Sequence, residues 1–227
     1  MADTAWAQHW AGGLVVSCQP VPDGPLDRDD IVLAMAQAAQ AAGACAVRIE
    51  GVRRVAVVAP ALQIPVVGIV KRDDPATTVR ITPVAADVRA LARAGAAVVA
   101  FDATARLRPE PVAELFAATR AAGVLAMADC ASLADGICAW EMGCELVGTT
   151  LSGYTQATAV PEDAPPDWAL ITALAAKGVR VVAEGRIRTP AQAAQARHAG
   201  ATCVTVGSAI TRIEHITQWF VQALREP

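Results

Sequence analysis

Two residues of opposite charge stand at the ends of apolar runs in this 227-residue chain: Lys71 follows VVGIV, and Glu184 closes VVAE. A cation and a carboxylate on two sides of one small molecule can remove a proton from a carbon beside a carbonyl and return it, the cation steadying the enolate oxygen between the two steps. The corresponding positions of the other apolar runs are polar or small as well: Gln19, Arg48, Asp102, Asp129, Thr149 with Thr150, and Gly207 with Ser208. Any one of them could simply cap the next helix. A ring of them points to a shared site. The plainer reading of Lys71 is an ordinary ion pair, with Asp129 as the candidate partner.

The segments EGRIRTP (184–190) and VGSAITR (206–212) read as anion-binding loops. Gly185, Gly207 and Ser208 would present backbone N–H groups, and a helix beginning near Ser208 would aim its positive end at the anion. Arg186 and Arg212, and Arg48 from across the mouth, are candidate charge partners. The alternative makes Gly207–Ser208 a turn with an N-cap serine. Tyr154, in LSGYT, either closes over a ligand or packs. His9, His198 and His215 fall on predicted helices or ahead of the first strand. No strand-end His–Asp set for a metal is present in the sequence, so a mechanism without metal or cofactor is expected.

Something must hold these residues in a ring. Eight β-branched apolar runs recur along the chain: LVVSC (14–18), CAVRI (45–49), VVGIV (66–70), AVVAF (97–101), LAMAD (125–129), ELVGT (145–149), VVAE (181–184) and CVTVG (203–207). They recur about every 27 residues, the room that a buried parallel strand, a crossover helix and two short loops need. Between them lie Ala-rich helical stretches ending near Gly, at 30–43, 83–95, 109–123 and 189–200. Thr189 followed by Pro190 is an N-cap with Pro at the first helical position. The Pro-rich run 160–167 reads as a loop before the next helix.

Eight βα units favour an α/β fold of the (β/α)8 TIM-barrel type over an open doubly wound sheet, since the first strand ends in SCQP rather than a Gly-rich turn. Residues 1–227 are read as one barrel domain. Strands 3 and 7 are then four units apart in a ring of eight, which puts Lys71 and Glu184 on opposite walls of the mouth.

Composition excludes several other classes. Hydrophobic residues make up 54% and charged residues 18%, which argues against a disordered chain. A net charge of −3 gives no basic excess for nucleic acid or anionic lipid. No apolar run is long enough to span a bilayer. The opening MADTAWAQHW lacks the pattern of a signal peptide, and the cysteines at 18, 45, 130, 138, 144 and 203 show no C-x-x-C pair. A cytoplasmic enzyme with no nucleic-acid or membrane partner is expected.

The stretches GGLVVSCQP (12–20), VVGIVKRD (66–73), FDATARLRP (101–109), MADCASLADG (127–136), ELVGTTLSGYT (145–155), VVAEGRIRTPAQA (181–193) and VGSAITRIEHITQWF (206–220) resemble the N-acylmannosamine-6-phosphate 2-epimerases in order and spacing. The likeness runs from about Trp10 to Phe220. It implies a barrel of the ribulose-phosphate-binding type, acting on an amino-sugar phosphate in sialic acid breakdown and inverting C2 of N-acetylmannosamine 6-phosphate. It also implies Lys71 and Glu184 as the acid/base residues, Asp129 as a polar neighbour, Gln19, Arg48 and Arg212 as ligand contacts, and a homodimer. The chain departs from the family pattern where Asp74 replaces the usual Tyr after K-R-D, in DCASL (129–133) and in FDAT (101–104).

Proton transfer could use both residues as bases, one base with the other steadying O1, or a relay through a substrate hydroxyl. Two other functions fit the same barrel. One is a carbon–carbon lyase or synthase with Lys71 as a Schiff base; the other is a phosphosugar sensor without catalysis.

Overall fold

Continuous apolar strands have no face to offer water and must be covered on both sides. The computed structural model, which describes residues 10–225, achieves this with a closed barrel of eight parallel strands paired in chain order. The strands are β1 (Leu14–Ser17), β2 (Ala46–Glu50), β3 (Val66–Ile69), β4 (Val98–Asp102), β5 (Leu125–Asp129), β6 (Leu146–Gly148), β7 (Val181–Glu184) and β8 (Cys203–Val206). β8 closes on β1 with Leu14 opposite Val204 and Val16 opposite Val206.

Helices α1 (Asp29–Ala41), α2 (Val52–Val58), α3 (Ala85–Arg93), α4 (Val112–Ala122), α5 (Leu133–Met142), α6 (Trp168–Ala176) and α7 (Pro190–His198) follow the first seven strands in turn. A single turn, α8 (Ser208–Thr211), and the longer α9 (Ile213–Ala223) follow β8. Thr189 caps α7 as expected: its hydroxyl accepts from Gln192 N at 3.2 Å, and the Gln192 side chain accepts from Thr189 N at 3.2 Å. Asp167 ends the Pro-rich loop by accepting from Leu170 N at 2.9 Å, which starts α6.

Side chains alternate across each strand, and the alternation separates two cores. Val15, Ala46, Val67, Val98, Met127, Leu146, Val182 and Cys203 fill the barrel interior, joined by Trp10. Val16, Val47, Val66, Val99, Ala128, Val147, Ala183 and Val204 face the helices. Two residues beyond an interior apolar residue, towards the C-terminal end, the inward position becomes polar: Ser17, Arg48, Asp129, Glu184 and Thr205. That layer is the floor of the mouth.

One element departs from the simple βα pattern. After β3 the chain folds back on itself, with antiparallel bridges joining Lys71 to Ile81 and Asp74 to Thr77. Thr82 locks the base of this arm: its hydroxyl accepts from Val70 N at 3.2 Å and donates to Ala100 O at 2.7 Å. Asp74 sits in the tip turn and accepts from Ala76 N at 2.8 Å. No helix among the described residues is long and apolar enough to cross a membrane.

Candidate active site

The C-terminal mouth holds two adjoining cavities of about 390 and 410 Å³. Gln19, Lys71, Thr150, Tyr154 and Glu184 line both. Lys71 and Glu184 therefore open onto one space, from β3 and β7, as the ring of eight requires.

Beneath them lies an ion-pair network. Arg48 reaches across the barrel from β2, with Nη2 2.6 Å from Asp129 Oδ2 and Nη1 3.1 Å from both Asp129 Oδ1 and Glu184 Oε2. The Arg48 and Asp129 side chains are 2% and 0% exposed. Thr150 donates to Asp129 Oδ1 at 2.6 Å and also lies 3.3 Å from Glu184 Oε2. Thr149 fixes the Glu184 backbone, its hydroxyl accepting from Glu184 N at 3.0 Å and lying 2.8 Å from Glu184 O. Gly148 leaves room for this arrangement, because a Cβ there would sit 2.8 Å from Thr150 Oγ1 and 3.0 Å from Asp129 Oδ1.

Charge and burial tune Glu184 and Lys71. Burial raises the Glu184 carboxyl above its ordinary value and Asp129 adds to the rise, while Arg48 opposes it. Lys71 is exposed at the mouth, yet the protein surrounding its ammonium, and then repulsion by Arg48 and Arg212, bring it down to about 8. Lys71 Nζ donates to Gln19 Oε1 at 2.6 Å, and the Gln19 amide donates to Ser17 Oγ at 2.7 Å. The partner of Asp129 is thus Arg48, and Lys71 is held by a neutral amide. The two groups are thus shifted in opposite senses, Glu184 upwards and Lys71 down to about 8, as the residues of a proton-transfer site often are.

The 390 Å³ cavity extends over the ends of β7 and β8, where Gly185, Gly207 and Ser208 line it together with Arg212. Gly207 approaches β1 so closely that a Cβ would lie 3.3 Å from the Ser17 Cβ. α8 begins at Ser208, and the first N–H groups of a helix have no acceptor within it. Arg212 Nε donates to Gln19 O at 2.9 Å, tying the segment after α8 to the end of β1. Arg186 lines the same cavity, but its guanidinium is engaged elsewhere: Nε donates to Pro165 O at 3.0 Å and Nη1 to Ser152 O at 2.5 Å. It also lies 5.6 Å from the centre of the Tyr154 ring. Arg48, read from the sequence as a possible charge partner for an anion across the mouth, is instead committed to two carboxylates.

Several lining residues were not singled out by sequence reasoning. Ser17 and Thr205 face inward two residues beyond Val15 and Cys203, a period-two signal that was available. His215 and Trp219, from α9, also border the cavity, and Arg188 lies 5.1 Å from the Trp219 ring centre. A helix that follows the last strand carries no sequence mark of reaching the mouth. Arg80 and Arg106 line the 410 Å³ cavity beside Asp102, one of the strand-end residues read from the sequence. Asp102 is clamped within its own loop, accepting from Thr104 N at 2.9 Å and pairing with Arg106. His198 ends α7, and His9 lies outside the described residues. Among the described residues no cluster of His, Cys, Asp and Glu is arranged to hold a metal ion.

A family model described as "Putative N-acetylmannosamine-6-phosphate epimerase" matches residues 32–226. The chain is 55% identical over 217 residues to the "Putative N-acetylmannosamine-6-phosphate 2-epimerase 1" of Salmonella paratyphi A, covering 96% of this chain and 95% of that protein. It is 54% identical to the corresponding protein of Proteus mirabilis, over 94% of this chain and 91% of the relative. Among solved structures, the N-acetylmannosamine-6-phosphate 2-epimerase from Clostridium perfringens superposes with a TM-score of 0.91 at 38% identity, covering 96% of this chain and 95% of that one.

Proposed function

The chain belongs to the N-acetylmannosamine-6-phosphate epimerase family, and from that premise we propose how its mouth inverts C2 of N-acetylmannosamine 6-phosphate to give N-acetylglucosamine 6-phosphate. It is an isomerase of amino-sugar (sialic acid) catabolism. The observation that carries the mechanism is the shared opening of Lys71 and Glu184 onto a cavity continuous with the β7 and β8 loops.

Gly185, Gly207, Ser208 and Arg212 take the 6-phosphate, which sets the far end of the sugar over Lys71 and Glu184. In a pyranose the C2 hydrogen is not acidic. In the open-chain aldehyde it lies beside C1=O, so its removal leaves an enolate with charge on O1. One of the two reactive groups takes this proton, and a proton returns to C2 on the opposite face, so nothing is oxidised overall. Burial and Asp129 raise Glu184, which lets its carboxyl hold a proton to donate. Lys71, brought to about 8, can serve as a neutral base or as a cation beside O1. Gln19, Arg48, Thr149, Thr150 and Tyr154 orient the chain and the two groups.

The reaction run in deuterated water is expected to place deuterium at C2 of the product, read by NMR. Unlabelled product at full turnover would rule out an abstracted proton that exchanges with solvent. Substituting Lys71 or Glu184 by Ala is expected to lower kcat by about 100-fold or more, the contribution of a positioned acid or base. A lysine near 8 could also form a Schiff base, as a lyase or synthase would require. Borohydride with substrate should leave wild-type protein unmodified, whereas a trapped adduct on Lys71 would favour that second reading.

The protein is proposed to act in the cytoplasm as a homodimer. Phe220 and Leu224, on or just beyond α9, are 71% and 85% exposed and offer an apolar face to a second copy. Sedimentation equilibrium at micromolar concentration tests the dimer.

A further inference from the structure

Thr205, near the end of β8, is 2% exposed, and its hydroxyl has no hydrogen-bond partner among the described residues. The hydroxyls around it are all engaged. Ser17 Oγ accepts from Gln19, Thr149 bonds the Glu184 backbone, and Thr150 donates to Asp129. A buried hydroxyl left unmade weakens a fold, and valine has nearly the same shape without that cost. The mechanism above gives Thr205 no role.

Its position supplies one. Thr205 stands opposite Glu184 on β7 and Val15 on β1, with its side chain on the floor of the 390 Å³ cavity. Gly207, at the phosphate end, is two residues further along the same strand path. A sugar phosphate anchored at Gly207 and Ser208, with C2 beside Glu184, must lay its intervening carbons over Thr205. Those carbons carry hydroxyls. We infer that Thr205 is a specificity-determining residue whose hydroxyl binds a substrate hydroxyl between C2 and the phosphate. The inference rests on the orientation of substrate proposed above, and it assigns the site a preference for polyhydroxylated phosphosugars over simple phosphate esters. A site built to bond a hydroxyl discriminates strongly when that bond is removed, because the buried group is then left without a partner.

The test is binding, independent of turnover. Inorganic phosphate and N-acetylglucosamine 6-phosphate are titrated calorimetrically into wild type, Thr205→Val and Thr205→Ser. Thr205→Val is expected to bind inorganic phosphate within about twofold of wild type and the sugar phosphate at least about tenfold more weakly. Thr205→Ser, which keeps the hydroxyl, should recover sugar-phosphate binding to within about threefold. The ligand-free Thr205→Val protein should melt at or above the wild-type temperature, since it loses a hydroxyl that had no partner. Unchanged sugar-phosphate affinity in Thr205→Val would overturn the inference, and so would an equal loss for both ligands, which would mark damage to the phosphate loop. A wild type that binds the sugar phosphate yet moves no proton at C2 would count against the proposed reaction and leave these binding differences to be read on their own.

Discussion

Arg48 and Asp129, 81 residues apart in the chain, form a two-armed ion pair beneath the mouth, with Nη2 2.6 Å from Oδ2 and Nη1 3.1 Å from Oδ1. Arg48 enters from β2 and Asp129 from β5, so the pair crosses the barrel and closes its interior below Glu184. A planar guanidinium matches a carboxylate in this way, and a lysine ammonium does not.

Breaking a buried pair strands the surviving charge, at a cost of about 3–5 kcal/mol. Asp129→Ala is expected to lose stability in that range by urea unfolding at pH 7. Arg48→Met should lose at least as much, because it leaves Asp129 and Glu184 facing each other without the guanidinium that bridges them. A loss below about 1 kcal/mol in both would show that water reaches the pair and screens it.

The same network sets the titration of Glu184. Burial holds its carboxyl above the ordinary range, Asp129 pushes it further up, and Arg48 pulls it down. In Asp129→Asn the limb of the kcat/KM profile that reports Glu184 should therefore move to lower pH, and in Arg48→Gln to higher pH. The profiles are informative even where the absolute rate is poor. A limb that stays in place in both variants would detach Glu184 from the observed acid–base chemistry.

Lys71 carries the opposite linkage. Its folded-state value is about 8, against 10.5 for the unmodified side chain. Below pH 8 both folded and unfolded chains hold the proton, and the folded form bears the full cost of a partly desolvated cation near Arg48 and Arg212. Between pH 8 and 10.5 the folded form binds fewer protons than the unfolded one, so this contribution to stability rises with pH. Lys71→Met should thus melt higher than wild type at pH 7, and the gap should narrow from pH 8 towards 10.5, whatever activity the variant keeps. A variant that melts lower at pH 7 would show that Lys71 stabilises the mouth rather than straining it.

The frame for these effects was legible in the sequence because it depends on local signals. Each of the eight apolar runs became a strand within a residue of its expected ends, and Thr189 with Pro190 opened α7 as its residue types require. The positions of Lys71 and Glu184 followed from counting strands. The partners did not. Nothing local to Arg48 says that it points inward onto Asp129 rather than outward to an anion. The folded-back arm at 71–82 holds Lys71 through its bridge to Ile81, a pairing that no hydrophobic period announces. Arg186 has the letters of a phosphate ligand, but its backbone adopts φ 58° and its guanidinium turns to the carbonyls of Ser152 and Pro165. Thr205 and Ser17 were readable from alternation, once the strand ends were known to be inward-facing at that level.

Gly148 offers a test of how tightly the reactive geometry is held. It ends β6 directly beneath the network, where a Cβ would meet Met127 Cε at 2.7 Å, Thr150 Oγ1 at 2.8 Å and Asp129 Oδ1 at 3.0 Å. The Met127 end is flexible and can yield. Thr150 and Asp129 are bonded to each other and to Arg48 and Glu184, so they can move only together. In Gly148→Ala the displacement therefore passes to the Glu184 carboxylate, while the β7 and β8 loops proposed to take the phosphate are untouched. We expect kcat to fall by about 10–100-fold, the scale for a misplacement near 1 Å, with KM changed by no more than about threefold. Steady-state kinetics on both substrate and reverse reaction decide it. A KM rise with kcat preserved would mean that the added methyl disturbs ligand seating, and that Glu184 tolerates a looser hold than its hydrogen bonds suggest.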